Sequence, residues 1–203
     1  MAHERCEQCG NPTPPWDIID FSEDGNSYAL LCTPCFNATI AELTGFTDFE
    51  NVRLEPIRMT DCTGEPHQFH FQFRLQGTMI ILDAFELCGD LRCGYQFQLT
   101  GEPDDDVFVL LGHLVERIRR TLSVRHIDFQ ERQIIDSTVR GRIDLDEAQD
   151  GLLPLVVVDG KEVTWKEFGR MLTSVQGGRW KPSPAFIQAL DEAALGPRRC
   201  PML

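Results

Sequence analysis

Four cysteines near the N-terminus have the spacing of a metal site. Cys6 and Cys9 form one C-x-x-C pair, and Cys32 and Cys35 form a second pair after 22 intervening residues. Zinc prefers four soft ligands at tetrahedral corners, and two such pairs supply four thiolates when the chain brings them together. We expect these cysteines to bind one structural Zn²⁺ ion, since four protein ligands leave no coordination position for a substrate.

Two other interpretations of these cysteines remain. A C-x-x-C motif that follows a strand in a βαβ unit is typical of thioredoxin-like redox proteins. A chain with eight cysteines can also contain close pairs by chance. The repeated spacing, and the helix start predicted at the second pair, favour zinc.

The residues around the first pair predict how the chain positions its sulfur atoms. Gly10 permits a tight turn directly after Cys9. Residues 16–21 and 27–31 have the composition of strands, and residues 23–26 have that of a turn. We therefore expect a hairpin between the two cysteine pairs.

The second pair is predicted to lie at a helix N-terminus. Thr33 is the expected N-cap, Pro34 suits the first helical position, and Gly45 ends the helix. The helix dipole is expected to favour thiolates there. A cysteine turn, a hairpin and a helix with the last two ligands resemble the treble-clef class of zinc fingers over residues 4–45, which implies a scaffold but no function.

The distribution of charge along the chain indicates which segments could bind nucleic acid or an acidic partner. The net charge is −13, and residues 1–46 contain seven acidic residues but a single base, Arg5. Nucleic acid is bound through Lys and Arg, so we expect no nucleic-acid contact through the finger. Residues 161–203 reverse the balance with seven bases against four acids. A nucleotide or acidic partner would be contacted there, by Arg179, Trp180 and Lys181.

No segment has the composition of a membrane anchor or a secretory signal. The first six residues have no apolar core, and the longest apolar run, residues 152–158, is short and interrupted by Pro154. Cysteines in a reducing cytosol serve metals more often than disulfides. We therefore expect a cytoplasmic protein, while the sequence leaves the oligomeric state undetermined.

The middle of the chain predicts an antiparallel sheet covered by a helix. Residues 51–60, 67–75, 78–87 and 93–99 are expected strands, and residues 67–75 alternate most clearly. Residues 107–123 carry apolar side chains with a 3.6-residue period. We expect this long helix to cover one face of the sheet and the other face to be partly wet.

Three residues of the middle segment form a candidate functional cluster. His67 is expected to pair with Asp61 or with Glu86, because Glu86 lies near the end of a strand that looks buried. A histidine beside carboxylates can serve acid–base or metal chemistry. Such groups are also often satisfied structurally, as partners of one another.

Cys88 and Cys93 are a candidate thiol pair. They flank residues 89–92, which we interpret as a four-residue hairpin loop, so the two thiols should lie opposite each other. They could be a redox-sensitive pair or unremarkable packing thiols. A second zinc site that uses them with Cys62 and His67 is an alternative, although the spacing is not that of a standard knuckle.

The last third predicts a β-hairpin followed by a helix. Residues 138–145 and 152–158 are expected strands, and Asp159 and Gly160 form the turn into residues 161–163. Thr164 and Glu167 form a capping box at the start of a helix. The apolar stripe of that helix contains four side chains, with Met171 at its margin: Trp165, Phe168, Leu172 and Val175.

The order of these parts resembles uncharacterised bacterial proteins with an N-terminal zinc finger, most specifically over residues 158–172. The resemblance implies a bacterial setting but no activity. We expect an α+β protein with a zinc finger in residues 1–46 and a sheet with its helix in residues 47–125. Residues 126–203 are expected to form an extension packed on the middle unit.

Three functions are consistent with these features. The first is a zinc-stabilised interaction or adaptor protein with a protein partner, favoured because the chain shows no nucleophile–base pair and no phosphate-binding loop. The second is a metal-dependent hydrolase that uses Asp61, His67 and Glu86. The third is a nucleic-acid-associated regulator that binds through residues 179–199.

Overall fold

The computed structural model describes residues 4–22, 28–46, 49–102, 104–135, 138–146 and 152–174. The chain divides into two compact units, residues 1–124 and 125–203, which are described separately. The described residues form a mixed α/β protein with three α-helices and antiparallel sheets, which confirms the expected combination of elements. Among the described helices, none combines the length and the apolar composition needed to cross a lipid bilayer.

The first unit begins with short elements. In chain order they are β1 (Glu4–Arg5), β2 (Pro12–Thr13), a 3₁₀ turn (Pro15–Asp17), β3 (Ile18–Phe21), β4 (Ala29–Cys32) and α1 (Thr33–Thr44). β1 pairs with β2, and β3 pairs with β4. The predicted hairpin is confirmed, although its first strand starts later than expected because the 3₁₀ turn takes up Trp16 and Asp17.

The start of α1 differs from the prediction. Cys32 is the N-cap residue, so the assignment of Thr33 to that position is wrong. The Thr33 hydroxyl instead donates to Asp17 Oδ1 at 2.5 Å, in the turn that precedes β3. Gly45 ends the helix as predicted, with a φ of 74° that a residue with a side chain rarely adopts.

Four antiparallel strands form the main sheet in the order β5-β6-β7-β8. They are β5 (Ile57–Thr60), β6 (Pro66–Gln76), β7 (Met79–Cys88) and β8 (Leu91–Gly101). The predicted meander is confirmed. The strand expected over residues 51–60 is shorter, because only its last four residues pair with β6.

α2 (Val107–Leu122) covers the apolar face of this sheet, as predicted. Asp106 caps the helix, since its carboxylate accepts hydrogen bonds from the N–H groups of Phe108 and Val109 at 2.7 and 3.3 Å. One buried stripe of the helix packs against alternate residues of β6: Leu110, Leu114, Ile118 and Leu122 with Phe69, Phe71, Phe73 and Leu75.

The opposite face of the sheet is partly wet, as expected: Gln96, Gln98 and Thr100 of β8 are exposed, whereas the centre of the face is buried. Gln72 and Asp83 are only 4% and 5% exposed. The Trp16 ring lies 5.6 Å from the ring of Phe85 and 5.8 Å from that of His70. The 3₁₀ turn before β3 therefore covers the centre of this face and leaves its β8 side exposed to solvent.

The second unit contains two small sheets and a helix. Its elements are β9 (Ile127–Asp128), β10 (Gln133–Ile134), β11 (Gly141–Leu145), β12 (Pro154–Val158), β13 (Lys161–Thr164) and α3 (Trp165–Ser174). β9 pairs with β10, and the other three strands form a sheet in the order β11-β12-β13. The predicted hairpin turn at Asp159 and Gly160 is confirmed.

The helix of the second unit differs in part from its prediction. The capping box is confirmed, because Glu167 N–H donates to Thr164 Oγ1 at 3.3 Å. Trp165, however, is 40% exposed, whereas Met171 is 5% exposed and lies in the core with Phe168. The core-facing stripe is therefore rotated towards Met171. Val175, the last predicted member of the stripe, lies outside the described residues.

Candidate metal centre

The structure brings the four N-terminal cysteines together. The sulfur atoms of Cys6, Cys9, Cys32 and Cys35 all lie within 4.8 Å of one another. The separation between the Cys9 and Cys32 sulfur atoms is 3.9 Å. Tetrahedral zinc with Zn–S bonds of about 2.3 Å requires sulfur separations of about 3.8 Å. The cluster therefore has the size and the donor chemistry to hold one metal ion.

The backbone around the first pair forms a tight turn. Gly10 N–H donates to the Cys6 carbonyl at 2.8 Å, and Gly10 adopts a φ of 73°. Glu7 N–H donates to the Leu30 carbonyl at 2.9 Å, which ties this turn to β4. Because Cys32 ends β4, these bonds place the first pair directly beside the second.

A small core surrounds the sulfur cluster. Cys6 and Cys32 are buried with Leu31, whereas Cys9 is exposed. The rings of Phe21 and Phe36 pack edge-to-face with centroids 5.8 Å apart, beside these residues. This core contains few side chains, so it offers little hydrophobic stabilisation of its own.

The ionisation of the cysteines depends on their mutual proximity. Burial raises the pKa of Cys6, but backbone N–H groups of Cys32, Cys9 and Gln8 donate to its sulfur and lower the pKa to about 6. Burial raises the pKa of Cys35, and the sulfur atoms of Cys32, Cys6 and Cys9 raise it further. The helix dipole at the N-terminus of α1 was expected to lower the pKa of Cys35, but burial and the neighbouring sulfur atoms outweigh that effect. A bound cation would supply the charge that lets all four thiols ionise together.

Asp61, His67 and Glu86 also lie together, at the end of the main sheet. His67 Nδ1 is 2.8 Å from Glu86 Oε1, and His67 Nε2 is 3.8 Å from Asp61 Oδ2. His67 is 8% exposed and packs edge-to-face against Tyr95, with ring centroids 5.3 Å apart. The histidine therefore lies between the two carboxylates.

A β-bulge fixes the carboxylate of Glu86. The register between β7 and β8 shifts at Phe85 and Glu86, which leaves Gly94 and Tyr95 as additional residues. Tyr95 N–H donates to Glu86 Oε2 at 2.7 Å. A Cβ atom at Gly94 would lie 2.2 Å from the same oxygen, so a side chain there would displace the carboxylate from this position.

Asp61 is held by the turn between β5 and β6. Its Oδ1 accepts hydrogen bonds from the N–H groups of Thr63 and Glu65, both at 2.8 Å. Burial raises the pKa of Asp61, but these two amides and the Thr63 hydroxyl lower it more, so the pKa lies below its usual value. Asp61 therefore presents an ionised carboxylate towards His67.

Cys88 and Cys93 form a disulfide bond. The four-residue loop expected between them is wrong, because Cys88 pairs with Leu91 and leaves a two-residue turn. The two cysteines are therefore diagonal neighbours across the hairpin. Since both sulfur atoms are in the disulfide, neither is a ligand in the alternative second zinc site with Cys62 and His67. Cys62 is a free, exposed thiol.

A buried polar network, which the sequence did not predict, joins the finger to the main sheet. Gln72 Nε2 donates to Thr33 Oγ1 at 2.7 Å, and Arg92 donates to Gln72 Oε1. Asp17 accepts a hydrogen bond from the Thr33 hydroxyl, and burial raises the pKa of its carboxyl group. The alternation of polar residues in β6 indicated that Gln72 lies on the polar face of the sheet. It did not indicate that Gln72 forms hydrogen bonds with Thr33 and Arg92.

A shallow groove of about 410 Å³ lies along this junction, lined by finger residues near Trp16 and by Arg74, Leu91 and Arg92 of the sheet. It does not include His67. The predicted partner contact at Arg179, Trp180 and Lys181 lies outside the described residues.

Three family models match the chain, and each is described as a domain of unknown function. They are DUF7685 for residues 5–47, DUF7686 for residues 50–123 and DUF7713 for residues 123–191. No curated protein and no solved structure matches the chain. The chain is thus similar to three domains of unknown function, the first of which spans the four-cysteine cluster.

Proposed function

We propose that this protein is a zinc-stabilised interaction protein in which Cys6, Cys9, Cys32 and Cys35 bind one Zn²⁺ ion. The observation that carries the proposal is the mutual proximity of the four sulfur atoms, within 4.8 Å. Soft thiolate ligands in tetrahedral geometry select zinc over magnesium, calcium or manganese. With four protein ligands the ion is structural, because no position is open for water or substrate.

The metal would organise a segment that cannot build a sufficient core. β1 and β2 have two residues each, β3 and β4 have four, and α1 has twelve. Zinc binding contributes on the order of 10 kcal/mol to fingers of this kind. The arrangement of a cysteine turn, a hairpin and a ligand-bearing helix supports a treble-clef-like finger.

The surface of the finger supports a basic protein partner. Four of its acidic residues are exposed in the described part of the chain: Glu4, Glu7, Asp20 and Glu42. An acidic surface attracts basic partners and repels nucleic acid, and both effects weaken as salt rises. We therefore propose that this surface contacts a positively charged protein surface.

Elemental analysis tests the metal. Full-length protein, dialysed against a weak chelator, is expected to retain one tightly bound zinc per chain. Cys32→Ser should lose this ion, whereas Cys62→Ser should retain it because Cys62 lies outside the cluster. Retention of the ion by Cys32→Ser, or unchanged heat resistance after exhaustive chelation, would overturn the metal assignment.

Affinity purification with charge variants tests the partner. A variant with the four finger acids neutralised, as Glu4→Gln, Glu7→Gln, Asp20→Asn and Glu42→Gln, should lose a basic partner that zinc-loaded wild-type protein captures at low salt. A matched variant neutralises four exposed acids outside the finger and should keep that partner: Glu50, Glu55, Glu65 and Glu102. Equal capture by both variants would contradict a role of the finger.

A metal-dependent hydrolase is the second candidate function. The observation that favours it is the 2.8 Å contact between His67 and Glu86, since a carboxylate that orients an imidazole is common in acid–base catalysis. Turnover of an ester or phosphoester panel by wild-type protein, abolished in His67→Ala and kept in His113→Ala, would establish it. A nucleic-acid-associated role through residues 179–199 remains a prediction.

A further inference from the structure

One nitrogen of His67 is buried without a hydrogen-bond partner. The Nδ1 atom lies 2.8 Å from Glu86 Oε1, and an ionised carboxylate can only accept, so Nδ1 carries the proton. In the neutral ring, Nε2 then presents a lone pair. This atom is inaccessible to solvent and has no hydrogen bond. Buried polar atoms in this state are uncommon and indicate a missing ligand or proton.

The atom that Nε2 faces is itself an acceptor. Asp61 Oδ2 lies 3.8 Å away, too far for a direct hydrogen bond. Two acceptors that face each other across this gap repel unless a hydrogen-bond donor or a cation lies between them. The separation matches a small cation bonded to both atoms.

The charge around the histidine also favours a cation. Asp61 and Glu86 contribute two negative charges, and among the described residues no Lys or Arg forms an ion pair with either. The C-terminal end of α2 is close, since Cys62 N–H donates to the Leu122 carbonyl at 2.9 Å. Helix C-termini carry a partial negative charge, which adds to that of the carboxylates.

We propose that His67 Nε2 and Asp61 Oδ2 bind a divalent transition-metal ion, separate from the ion of the sulfur cluster. Bonds of about 2.1 Å to each atom would span the observed separation with a ligand–metal–ligand angle of about 130°. A nitrogen and an oxygen ligand suit zinc, cobalt or nickel better than calcium or magnesium. Water would fill the other positions, and with only two protein ligands this ion should bind more weakly than the ion of the sulfur cluster.

Glu86 is the positioning residue of this site. A carboxylate that accepts the second ring N–H fixes the tautomer and orientation of a metal-binding histidine. The bulge amide of Tyr95 and the absence of a side chain at Gly94 hold this carboxylate in place. The site thus has one ligand from the β5–β6 turn, one from β6, and its support from β7 and β8.

Metal counting with matched variants tests the proposal. Full-length protein in equilibrium dialysis against Zn²⁺ should bind two ions per chain above the buffer concentration. His67→Ala should reduce this number to one, whereas His113→Ala, which removes an exposed histidine on α2, should leave it at two. Cys32→Ser should lose only the tight ion, which separates failure of this site from failure of the proposed finger.

Two further measurements keep the test valid if His67→Ala does not fold. Glu86→Gln should lower the affinity for the ion at His67 by about 10–100-fold without removing the ion of the sulfur cluster. In ¹⁵N NMR of the wild-type imidazole, Zn²⁺ should shift the Nε2 signal of His67 while Nδ1 keeps its proton. A single ion per wild-type chain, or an Nε2 signal that responds to acid but not to Zn²⁺, would overturn the proposal in favour of a proton.

Discussion

The side chain of Asn37 takes the place of a neighbouring strand beside Leu75. Leu75 N–H donates to Asn37 Oδ1 at 2.9 Å, and Asn37 Nδ2 donates to the Phe73 carbonyl at 2.8 Å. β5 pairs only with residues 66–69 of β6, so within the described part of the chain no strand lies along this edge of β6 at Phe73 and Leu75. One amide on α1 therefore satisfies both backbone groups and joins the cysteine-bearing helix to the sheet.

Asn37→Ala should destabilise the protein strongly. Two buried backbone groups would lose their partners, and the expected loss of unfolding free energy is about 2–4 kcal/mol. Urea unfolding of zinc-loaded protein measures it. Asn51→Ala is the control: exposed Asn51 accepts from Asn37 and donates to the Pro34 carbonyl at 3.3 Å, and because water can replace these bonds the loss should be less than about 1 kcal/mol. Equal effects of the two variants would contradict this account.

Zinc affinity of the sulfur cluster should rise with pH. Burial raises the pKa values of Cys32 and Cys35, so both thiols hold protons at pH 7, and zinc must displace them. With at least two protons released, the affinity should increase about 100-fold per pH unit between pH 6 and 8. Calorimetry in buffers of different ionisation enthalpy counts the protons. Release of fewer than two would show that the thiols are already ionised.

Gly94→Ala should destabilise the protein more than Gly89→Ala. Both glycines have positive φ, 54° and 69°, so both variants should lose about 1–2 kcal/mol through backbone strain. Only at position 94 does the added methyl group collide with a neighbour, Glu86 Oε2. Gly94→Ala should therefore lose at least about 1 kcal/mol more. Thermal unfolding of both variants provides the comparison, and a smaller effect at position 94 would argue against the tight contact.

The Cys88–Cys93 disulfide should be visible in a tryptic digest. Trypsin cleaves after Arg92, between the two cysteines, so the peptides 75–92 and 93–117 should remain linked without reductant and separate with it. A disulfide that closes so short a loop should contribute about 2 kcal/mol to stability. Cys62→Ser should not change the linked pair. Detection of the two peptides unlinked in a non-reduced digest of protein purified without reductant would exclude the bond.

Replacement of two glycines in the second unit by alanine should change the stability of this unit in opposite directions. A Cβ atom at Gly141 would lie 2.5 Å from the Val157 carbonyl oxygen, so Gly141→Ala should disrupt the pairing of β11 with β12 and destabilise this unit by about 1–3 kcal/mol. Gly169 lies in α3 with open space around it, and Gly169→Ala should stabilise the unit by about 1 kcal/mol. Hydrogen exchange of amides in β12 measures both effects. Slower exchange in Gly141→Ala would refute the packing argument.

Local patterns in the sequence were sufficient for several elements. The repeated C-x-x-C spacing indicated the sulfur cluster, and the period of α2 indicated its buried stripe. The turn at Asp159 and Gly160 and the capping box at Thr164 were likewise predictable. Each of these signals is contained in a few neighbouring residues or in a regular repeat, so chain-local sterics and hydrogen bonding determine it.

Only the tertiary structure decided which distant side chains meet. The sequence named Glu86 and Asp61 as alternative partners of His67, whereas the bulge in β7–β8 placed Glu86 beside it and the β5–β6 turn placed Asp61 there as well. The sequence offered Thr33 as a helix cap, but packing against Asp17 and Gln72 gave its hydroxyl another role. Such contacts depend on strand register and on which elements pack together, and these are set by the whole core, beyond the reach of local periodicity.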